Sequence, residues 1–374
     1  MPAKTLDPSQ LSGQVCVVIG TRPGIIMMSP VIRELEERRL SYFTLHTGQH
    51  YSPGMDSIFF SDLNLPQPRH HLEGMARYTH HGKQTAAMLS GSEHVFLEER
   101  PSIVLVGGDA NTNLAAALAA RKLHITLGHI EAGERSYDWR MPEEHNRRII
   151  DHISDHLFAT TRRSVARLTC ESVQGHIHLT GNTIVDAARQ NLEIARRLPP
   201  PFQPPYILMT LHREENVDNP RTLAAIMKAA ASLGHRVIFP AHPRTAKRLH
   251  LHRIDTEPIE TVPPLGYLTF LQALSRATCV LTDSGGVQQE AYILRTPCVT
   301  LRPSTEWTDT IDLNANILCP HPPDLPATVH RLLHETTPDF NTQPFGDGHA
   351  AARIVSLIEE HTPCTKTLTP TSTS

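Results

Sequence analysis

With 374 residues and a formal net charge of −3, the chain is long enough for two domains and too close to neutral for a dedicated nucleic-acid or membrane-surface binder. Apolar residues make up 39% of it, but no apolar run approaches the length of a membrane span, and residues 1–13 lack the basic start and apolar core of a signal peptide. The composition therefore predicts a cytoplasmic protein without a nucleic-acid or membrane partner.

The first half of the chain alternates apolar strand patterns with helical patterns, after a polar start at residues 1–13 that we expect to be flexible. The predicted strands are 14–20, 42–46, 102–107, 124–130, 157–160 and 176–180. The predicted helices are 25–39, 79–99, 111–122, 142–156 and 182–197, with one more between the last two strands. Strands that alternate with helices indicate parallel βαβ units and a doubly wound sheet.

A proline-rich segment, 198–205, follows and is the best candidate for a linker. A second series of strands is predicted at 206–210, 236–240, 260–262, 278–281 and 297–301. Its helices are predicted at 221–233, 243–249, 267–275 and 287–294, with a final helix at 349–361. The Thr/Ser/Pro-rich tail, 362–374, is expected to be disordered.

These elements predict two Rossmann-like domains that face a central cleft. We place the N-terminal domain at 14–190 and the C-terminal domain at 191–348, with helix 349–361 able to pack back on the first. In open α/β sheets, ligands bind outside the carboxyl ends of the strands. The polar clusters of this chain fall at those ends, so the sequence predicts a ligand site there.

Three acidic positions of the first half lie at or just after strand ends. Asp109 can act as a base, bind a metal or cap the helix that begins at Asn111. Glu131 ends the next strand, and Glu143 opens a helix, where a carboxylate also favours the helix dipole. Arg22, after the first strand, can neutralise an anionic ligand or serve as an ordinary turn residue. Three carboxyl groups at one cleft indicate acid–base chemistry.

The run 282–290 combines the end of a strand, a Ser-Gly-Gly turn and the start of a helix. Backbone N–H groups and the positive helix end there can hold a phosphate or diphosphate, although such a turn is also common without a ligand. Glu290 lies about one and a half helical turns further and can reach sugar hydroxyls beside that phosphate. Across the linker, His212 and Arg213 end another strand. A histidine there can protonate or bind a leaving diphosphate, or it can be structural.

Histidines and cysteines give little sign of a metal or redox site. Of the 24 histidines, His152 and His156 are four apart in a predicted helix, a spacing that suits a metal, but the glutamate of HExxH is missing. The six cysteines are scattered without a CxxC pair, so neither a disulfide nor a thiolate metal site is expected. No metal or other cofactor is therefore predicted.

A series of short motifs occurs in one order: GTRP, GGD, HIEAGxRS, MPEExNR, GNTIVDA, HRxEN, GY, TDSGGVQxEA and RxxTEW. Together they resemble the non-hydrolysing UDP-N-acetylglucosamine 2-epimerases, over roughly residues 14–360. The resemblance implies a GT-B fold with UDP held mainly by the C-terminal half and the sugar between the domains. It also implies a homodimer and a redox-neutral reaction that needs no metal or nicotinamide.

The resemblance further implies a reaction and a set of residues. UDP departs first, which acidifies C2–H of the sugar, and a carboxylate then removes that proton to give 2-acetamidoglucal. UDP returns as C2 is protonated on the opposite face. The matching catalytic residues are Asp109, Glu131, Glu143 and His212. The matching UDP- or sugar-binding residues are Arg22, Arg213, His242, Ser284, Gly285, Gly286, Glu290 and Arg302.

The chain departs from the family's pattern beside the expected sugar. Gly24 and Met27 stand where the first loop of the family has a glutamate and an active-site lysine. Loss of that ammonium predicts slower turnover or a changed sugar, and a faster Met27→Lys enzyme would show that the missing ammonium matters. Gln289 replaces a glutamate of the family, although Glu290 remains. Two other residues are unusual for their motifs: Glu134 and Glu214.

Positions linked to substrate activation are only partly kept. Bacterial members of the family are often activated by their own substrate at a second site, and Gln49 and Gln84 lie near matching positions. Ser52 replaces a glutamine of that set, which argues against such activation.

Three functions remain to be compared. The leading one is a 2-epimerase that converts UDP-N-acetylglucosamine to UDP-N-acetylmannosamine. The second is a hydrolysing relative, or an epimerase of a modified UDP-sugar. The third, suggested by Gly24 and Met27, is a catalytically silent nucleotide-sugar sensor.

Overall fold

The computed structural model describes residues 6–49 and 59–361, so the expectations for residues 1–5, Ser52 and the tail 362–374 lie outside the described residues. The chain forms two compact units, one of residues up to Ala187 and from Phe345 onward, the other of Ala188–Pro344. Each is built on one parallel sheet with helices, which confirms the predicted class of two doubly wound α/β domains. No described helix is long and apolar enough to cross a membrane.

The first unit contains a seven-stranded parallel sheet. Its strands are β1 (Val15–Ile19), β2 (Tyr42–His46), β3 (His70–His71), β4 (Ile103–Gly107), β5 (Thr126–Ala132), β6 (His156–Ala159) and β7 (His176–Leu179). They are arranged in the order β3-β2-β1-β4-β5-β6-β7. The direction of strand addition reverses between β1 and β4, so the carboxyl ends of these two strands form the crevice in which such sheets bind ligands.

Helices cover this sheet because its central strands are apolar along their whole length. All five residues of β1 and of β4 are buried, the pattern of a parallel sheet enclosed on both faces. The helices are α1 (Arg22–Glu37), α2 (His81–Glu99), α3 (Asn111–Lys122), α4 (Pro142–Ile153), α5 (Arg162–Cys170) and α6 (Thr183–Ala195). Two 3₁₀ turns are Pro8–Gln10 and Met75–Arg77.

The second unit repeats this plan with a six-stranded parallel sheet. Its strands are β8 (Ile207–Thr210), β9 (Val237–Pro240), β10 (Glu260–Val262), β11 (Cys279–Thr282), β12 (Cys298–Thr300) and β13 (Asn316–Leu318). Its helices are α7 (Glu214–Val217), α8 (Pro220–Ala231), α9 (Pro243–Leu251), α10 (Tyr267–Arg276), α11 (Gly285–Ile293), α12 (Thr308–Asp312) and α13 (Leu325–His334), with a 3₁₀ turn at Pro322–Asp324. The order β10-β9-β8-β11-β12-β13 puts the corresponding crevice after β8 and β11.

The last described helix, α14 (Ala350–His361), belongs to the first unit. The carboxylate of Asp186 in α6 accepts hydrogen bonds from the backbone N–H groups of Ala350 and Ala351, at 3.2 and 3.0 Å, and thereby caps the helix. Arg38, at the end of α1, donates to Ser356 at 2.8 Å and pairs with Glu359 at 2.8 Å.

Residues 6–13, which their polar composition predicts to be flexible, contact the first unit. Leu6 is buried in its core, and the Leu6 N–H donates to the Leu123 carbonyl at 3.3 Å. The Gly13 N–H donates to the Ser102 hydroxyl at 2.9 Å. This stretch therefore contacts the end of α3 and the residues that lead into β4.

The prediction of a helix at 142–156 is wrong about where this helix ends. It stops at Ile153, because Ser154 has extended backbone angles and the Asp155 N–H pairs with the Leu127 carbonyl at 2.9 Å. His156 consequently begins β6 and does not share a helix face with His152. Several short elements were not predicted: β3, β13, α7, α12 and α13.

Candidate active site

Asp109 lies just after β4, in the loop that leads into α3. Its carboxylate forms an ion pair with Arg147 of α4, and its backbone carbonyl accepts a hydrogen bond from Asn146 at 2.8 Å. The Asp109 side chain is 33% exposed. Helix α3 begins after Ala110, which provides no side-chain cap, so the alternative in which Asp109 caps this helix is wrong. Asp109 is therefore a carboxylate that is both fixed in position and accessible.

Glu131 lies near the end of β5, the strand beside β4. The pairing of β5 with β6 shifts register between Ile130 and Ala132, and Glu131 has a positive φ of +71° at this irregularity. A bulge of this kind re-aims a side chain at the end of a strand. The strained backbone thus sets the direction of a residue that the sequence predicts to be catalytic.

The surroundings of Glu131 oppose its ionisation. Desolvation contributes most, followed by the negative charges of Asp109 and Glu134, and together they raise the pKa of Glu131 to about 8. A hydrogen bond from Asn182 to Oε1, at 3.2 Å, and the charge of Arg147 act in the opposite direction without offsetting this. Glu131 is therefore mostly protonated at neutral pH, whereas Asp109 is paired as a carboxylate. Carboxyl groups in such contrasting environments are typical of acid–base sites.

Helix α4 opens with two adjacent carboxylates that differ in their contacts. Glu144 is fully buried, accepts hydrogen bonds from the N–H and hydroxyl of Ser136 at 2.8 and 3.0 Å, and pairs with Arg148 at 2.9 Å. Burial opposes ionisation, but these contacts lower the pKa of Glu144. Glu143 is partly buried, and among the described residues no hydrogen bond to its side chain is found. Glu144 therefore anchors the preceding loop, which leaves Glu143 available for a ligand.

The start of α1 carries two of the residues singled out from the sequence. Thr21 caps the helix, because its hydroxyl accepts a hydrogen bond from the Gly24 N–H at 3.2 Å. Arg22 is the first helical residue and is exposed. A Cβ at position 24 would lie 3.1 Å from the Thr21 hydroxyl, so the glycine leaves room for this tight cap.

Met27 is buried, with 7% exposure, against the end of β4. A Cβ built on Gly108 would lie 3.4 Å from Met27 Cε and 3.3 Å from Glu131 Oε2. An apolar side chain therefore lies beside Glu131 at the position where the family resemblance implies a lysine.

The candidate allosteric residues both contact the start of α3. Gln49 Oε1 accepts hydrogen bonds from the N–H and the hydroxyl of Thr112, each at 2.8 Å. Gln84 Oε1 accepts from Asn111 Nδ2 at 3.3 Å, and Asn111 Oδ1 accepts in turn from Asn146 at 3.1 Å. Because Asn146 also binds the Asp109 carbonyl, both glutamines are connected to the loop of Asp109 through the start of α3.

A buried network of hydrogen bonds and ion pairs supports the loop that follows β4. His129 has no exposed surface and contacts Asp151 through Nδ1 at 2.7 Å and the Gly108 carbonyl through Nε2 at 3.1 Å. Asp151 also pairs with Arg135 at 2.7 Å, and Arg135 pairs with Glu171 at 2.6 Å. Burial opposes the ionisation of Asp151, but His129 and Arg135 lower its pKa. The network thus ties this loop to helix α4.

In the second unit, Asp283 organises the loop that follows β8. Asp283 is fully buried after β11 and accepts hydrogen bonds at 3.1 Å from the N–H groups of His212 and Arg213 and from Asn216 Nδ2. It also contacts His212 Nδ1 at 3.0 Å. Burial opposes ionisation, yet His212 and the other donors lower the pKa of Asp283. The His212 ring is therefore fixed through one nitrogen, while its side chain stays 44% exposed.

The start of α11 has the geometry of an anion seat. Ser284 precedes the helix, and its side chain makes no capping hydrogen bond. A Cβ at Gly285 would overlap Glu306 Oε1, so a larger residue there would require the Glu306 side chain to move, whereas a Cβ at Gly286 would meet nothing within 4 Å. The first turn thus presents backbone N–H groups, a serine hydroxyl and open space for a ligand.

Arg302 and Glu290 complete this part of the second unit. Arg302 is 9% exposed and pairs with Glu306 at 3.2 Å, next to Gly285. Glu290 is buried in α11, where desolvation raises its pKa to about 7 although a hydrogen bond from Tyr267 acts against the shift. A cation and a carboxyl group are thus available within the same unit as the anion seat.

His242 has a structural contact of its own. Its Nδ1 accepts a hydrogen bond from the Arg244 N–H at 3.2 Å and thereby caps α9. Its ring centroid lies 6.2 Å from that of His212. His242 is therefore a helix cap as well as a neighbour of the predicted catalytic histidine.

Comparisons with known proteins agree with this arrangement. The family model for UDP-N-acetylglucosamine 2-epimerase matches residues 33–359. A UDP-N-acetylglucosamine 2-epimerase of Methanococcus maripaludis is 43% identical over 364 residues, which cover 92% of this chain and 98% of that protein. The chain belongs to the UDP-N-acetylglucosamine 2-epimerase family.

Other relatives extend the comparison to structure and to a second sugar. A crystal structure of the Methanocaldococcus jannaschii UDP-GlcNAc 2-epimerase in complex with UDP-GlcNAc and UDP has a TM-score of 0.85 and 43% identity, covering 93% of this chain and 99% of that one. This likeness confirms the predicted GT-B-like class. A UDP-2,3-diacetamido-2,3-dideoxy-D-glucuronate 2-epimerase of Pseudomonas aeruginosa is 38% identical over 356 residues, covering 92% and 99% of the two chains. Membership of the UDP-N-acetylglucosamine 2-epimerase family therefore leaves the sugar to be argued separately.

Sequence reasoning named the candidate reactive side chains but missed the groups that hold them. Arg147 binds Asp109, Asn182 binds Glu131, and Asp283 and Asn216 hold the loop of His212. Each of the four lies inside a motif typical of the UDP-N-acetylglucosamine 2-epimerase family. That placement is the signal from which they could have been found.

The metal alternative finds no support at the predicted histidine pair. His152 lies in α4, where its Nδ1 contacts the Arg148 carbonyl at 2.8 Å, whereas His156 in β6 contacts His178 at 3.2 Å. Within residues 6–49 and 59–361, no group of three or more His, Cys, Asp or Glu side chains could hold a metal ion.

Proposed function

We propose that this protein interconverts UDP-N-acetylglucosamine and UDP-N-acetylmannosamine by eliminating UDP to 2-acetamidoglucal and adding it back. The observation that carries the proposal is the contrast between Asp109, paired with Arg147, and Glu131, whose pKa is raised to about 8. Inversion at C2 removes a proton from one face of the sugar and returns one to the other. It therefore needs one carboxylate that accepts a proton and one carboxylic acid that donates one.

The order of steps follows from the acidity of the substrate. The C2 proton is not α to a carbonyl, so a carboxylate cannot remove it at a useful rate while UDP is attached. Departure of UDP with the C1–O electron pair leaves an oxocarbenium-like centre that acidifies C2–H. Removal of this proton forms the C1–C2 double bond of 2-acetamidoglucal. Re-addition of UDP at C1, with protonation at C2, completes the epimerisation.

The second unit supplies groups suited to UDP. The start of α11 and Ser284 can bind the diphosphate through N–H groups and a hydroxyl, and Arg302 adds a positive charge. Glu290 can accept hydrogen bonds from the ribose. His212, held by Asp283, can donate a proton or a hydrogen bond to the departing diphosphate. The other residues assigned to UDP or the sugar are Arg22, Arg213, His242, Gly285 and Gly286, with Glu143 as a third acid–base group.

A single incubation in D2O tests the function. The protein is mixed with UDP-N-acetylglucosamine and followed by NMR, and we expect deuterium at C2 of both UDP-sugars without accumulation of free UDP. Accumulation of UDP and free N-acetylmannosamine would instead indicate the hydrolysing reaction. Binding of UDP-N-acetylglucosamine without any C2 exchange would contradict the epimerase and favour the silent sensor.

A parallel incubation addresses the modified sugar. The 38% identity to the Pseudomonas aeruginosa relative makes UDP-2,3-diacetamido-2,3-dideoxy-D-glucuronate the natural second substrate to test. The 43% identity to UDP-N-acetylglucosamine 2-epimerases favours the simpler sugar. Exchange with the diacetamido-glucuronate alone would reverse this assignment.

The assembly and the cellular setting are part of the same proposal. As the family resemblance implies, we propose a cytoplasmic homodimer, which light scattering of the purified protein would test. Gln49 and Gln84 are proposed to influence the catalytic loop through α3, where both are hydrogen-bonded. A hyperbolic dependence of rate on substrate in wild type, unchanged in Gln84→Ala, would argue against activation through this contact.

A further inference from the structure

Two uncharged side chains, Met27 and Asn182, lie near the carboxyl group of Glu131. Met27 Cε and Glu131 Oε2 both approach Gly108, at 3.4 and 3.3 Å from the position of a Cβ there. Asn182 contacts the other oxygen, Oε1, at 3.2 Å. Neither Met27 nor Asn182 carries a charge, so neither can balance a negative charge on Glu131.

The charged groups around Glu131 are mostly negative. Asp109 and Glu134 are carboxyl groups that disfavour a further anion, and Arg147 is the cation that favours it. Arg147 is already paired with Asp109. Glu134 has a cation of its own, Arg167, at 3.4 Å. Both of these arginines are therefore paired directly with carboxylates other than Glu131.

We propose that Met27 keeps the proton of the catalytic pair on Glu131, so that Glu131 enters the reaction as the general acid and Asp109 as the general base. The inference rests on the epimerase function proposed above. Met27 does not react itself and acts only through Glu131. Its buried thioether excludes water and adds no charge, which disfavours the ionised form of Glu131. The raised pKa of Glu131, about 8, agrees with this geometry.

The proton balance of one turnover follows. After UDP has left, the Asp109 carboxylate removes the C2 proton, and the C–H electron pair becomes the C1–C2 double bond. Glu131 then gives its proton to C2 from the opposite face while an oxygen of UDP forms the new bond to C1. Asp109 ends protonated and Glu131 ionised. Asp109, partly exposed and beside Arg147, returns its proton to solvent, and Glu131 takes one up again.

The test is the alkaline limb of the pH–rate profile for epimerisation of UDP-N-acetylglucosamine. In wild type the rate should fall as the pH rises through about 8, because Glu131 loses the proton that C2 must receive. In Met27→Lys an ammonium beside the carboxylate should lower its pKa by about 1–3 units. For a shift of about 2 units, the rate at pH 7.5 should fall about 30-fold relative to the acid maximum of the same variant.

Two further variants separate charge from packing. Met27→Leu keeps an apolar side chain of similar volume and should leave the limb near 8. Asn182→Asp keeps the acceptor that binds the Ile184 N–H at 3.0 Å, but it replaces a donor to Glu131 by a negative charge. The added negative charge should raise the pKa of Glu131, so the alkaline limb of the pH–rate profile should move to higher pH. Opposite shifts in Met27→Lys and Asn182→Asp cannot result from a general loss of packing.

A measurement without turnover keeps the inference testable if a variant folds poorly or is inactive. In wild type labelled with ¹³C at the glutamate carboxyl groups, the NMR signal that disappears in Glu131→Gln should titrate near pH 8. It should titrate lower in Met27→Lys and higher in Asn182→Asp. An unchanged limb and titration in a Met27→Lys protein that binds UDP would overturn the proposal, as would an equal shift in Met27→Leu. Absence of C2 exchange in wild type would instead contradict the proposed function, while the titration would still locate the proton.

Discussion

Replacing Asp283 with asparagine tests whether one buried carboxylate holds the loop of His212. Asp283 has no exposed surface and accepts hydrogen bonds from His212, Arg213 and Asn216. An asparagine keeps one acceptor oxygen, sets an NH₂ group against donors and removes the charge. A hydrogen bond to a charged group contributes about 1.5–3 kcal/mol, and a buried donor left unpaired costs about 1–3 kcal/mol. We therefore expect the free energy of unfolding of the second unit to fall by about 2–4 kcal/mol.

The same perturbation should depend on pH in a defined direction. The contacts of Asp283 lower its pKa in the folded state below the ordinary aspartate value of about 3.9. Its stabilising contribution is therefore complete above that ordinary value and is lost as the pH falls through the lowered folded-state pKa. The difference between wild type and Asp283→Asn should be largest above about pH 5 and should shrink below about pH 4.

Urea unfolding followed by tryptophan fluorescence can measure this. Trp307 is buried in the second unit, and Trp139 is exposed in the first, so a Trp139→Phe background leaves one reporter in the relevant unit. Asp255→Asn is a matched control, because this exposed carboxylate accepts one hydrogen bond, from the Glu257 N–H at 3.0 Å. Its effect should stay within about 0.5 kcal/mol. If Asp283→Asn unfolds at the same urea concentration as Asp255→Asn, the reasoning is refuted.

Three other substitutions probe both units. Asp109→Asn should abolish C2 deuterium exchange while UDP affinity, measured by calorimetry, stays nearly unchanged, and full exchange would exclude Asp109 as the base. Ser284→Ala should weaken UDP binding by about 2- to 10-fold, the value of one hydrogen bond of about 0.5–1.5 kcal/mol. Unchanged affinity would remove it from the phosphate seat. Gly133→Ala puts a Cβ 2.7 Å from the Ser164 carbonyl oxygen and should destabilise by about 1–3 kcal/mol more than Gly234→Ala. Gly234 also has a positive φ but open space, so equal losses in urea unfolding would assign the whole effect to backbone strain.

The order of strands and helices could be predicted because buried parallel strands are continuous apolar runs. β1 and β4 are examples, since every residue in them is buried. β3 has only two residues, both histidines, and β13 has three, so neither carries a pattern of its own. They are strands because they pair with a neighbouring strand, β3 with β2 and β13 with β12. The end of α4 likewise depends on a tertiary contact, the hydrogen bond from Asp155 to Leu127, which local spacing does not contain.

From local sequence patterns alone, candidate site residues could be predicted only where they come directly after the end of a strand. Glu143 and Glu144 are adjacent carboxylates in one helical turn, and sequence offers no means of separating them. The loop of Ser136 separates them, because its N–H and hydroxyl bind Glu144 and not Glu143. In the same way, the pairing of Asp109 with Arg147 joins residues 38 positions apart, and no local pattern encodes it.

In both units, a buried aspartate holds a histidine close to the point where the strand order of the sheet reverses. Adjacent parallel strands end together, as in the pairing of Thr210 with Thr282, so the loops after β8 and β11 meet and Asp283 can hold His212. In the first unit, the buried Asp151 holds His129, which binds the carbonyl beside Asp109.

The carboxylates that fix these loops are buried, whereas the side chains proposed to react are partly exposed to solvent. Asp283 and Asp151 have no exposed side-chain surface, whereas His212 is 44% and Asp109 33% exposed. Burial makes the supporting contacts strong and fixes the geometry. Exposure lets the reacting groups exchange protons with solvent after each turnover, which an epimerase that uses one base and one acid requires. Glu131 is the exception, because in the proposed reaction it retains its proton until C2 of the sugar is protonated.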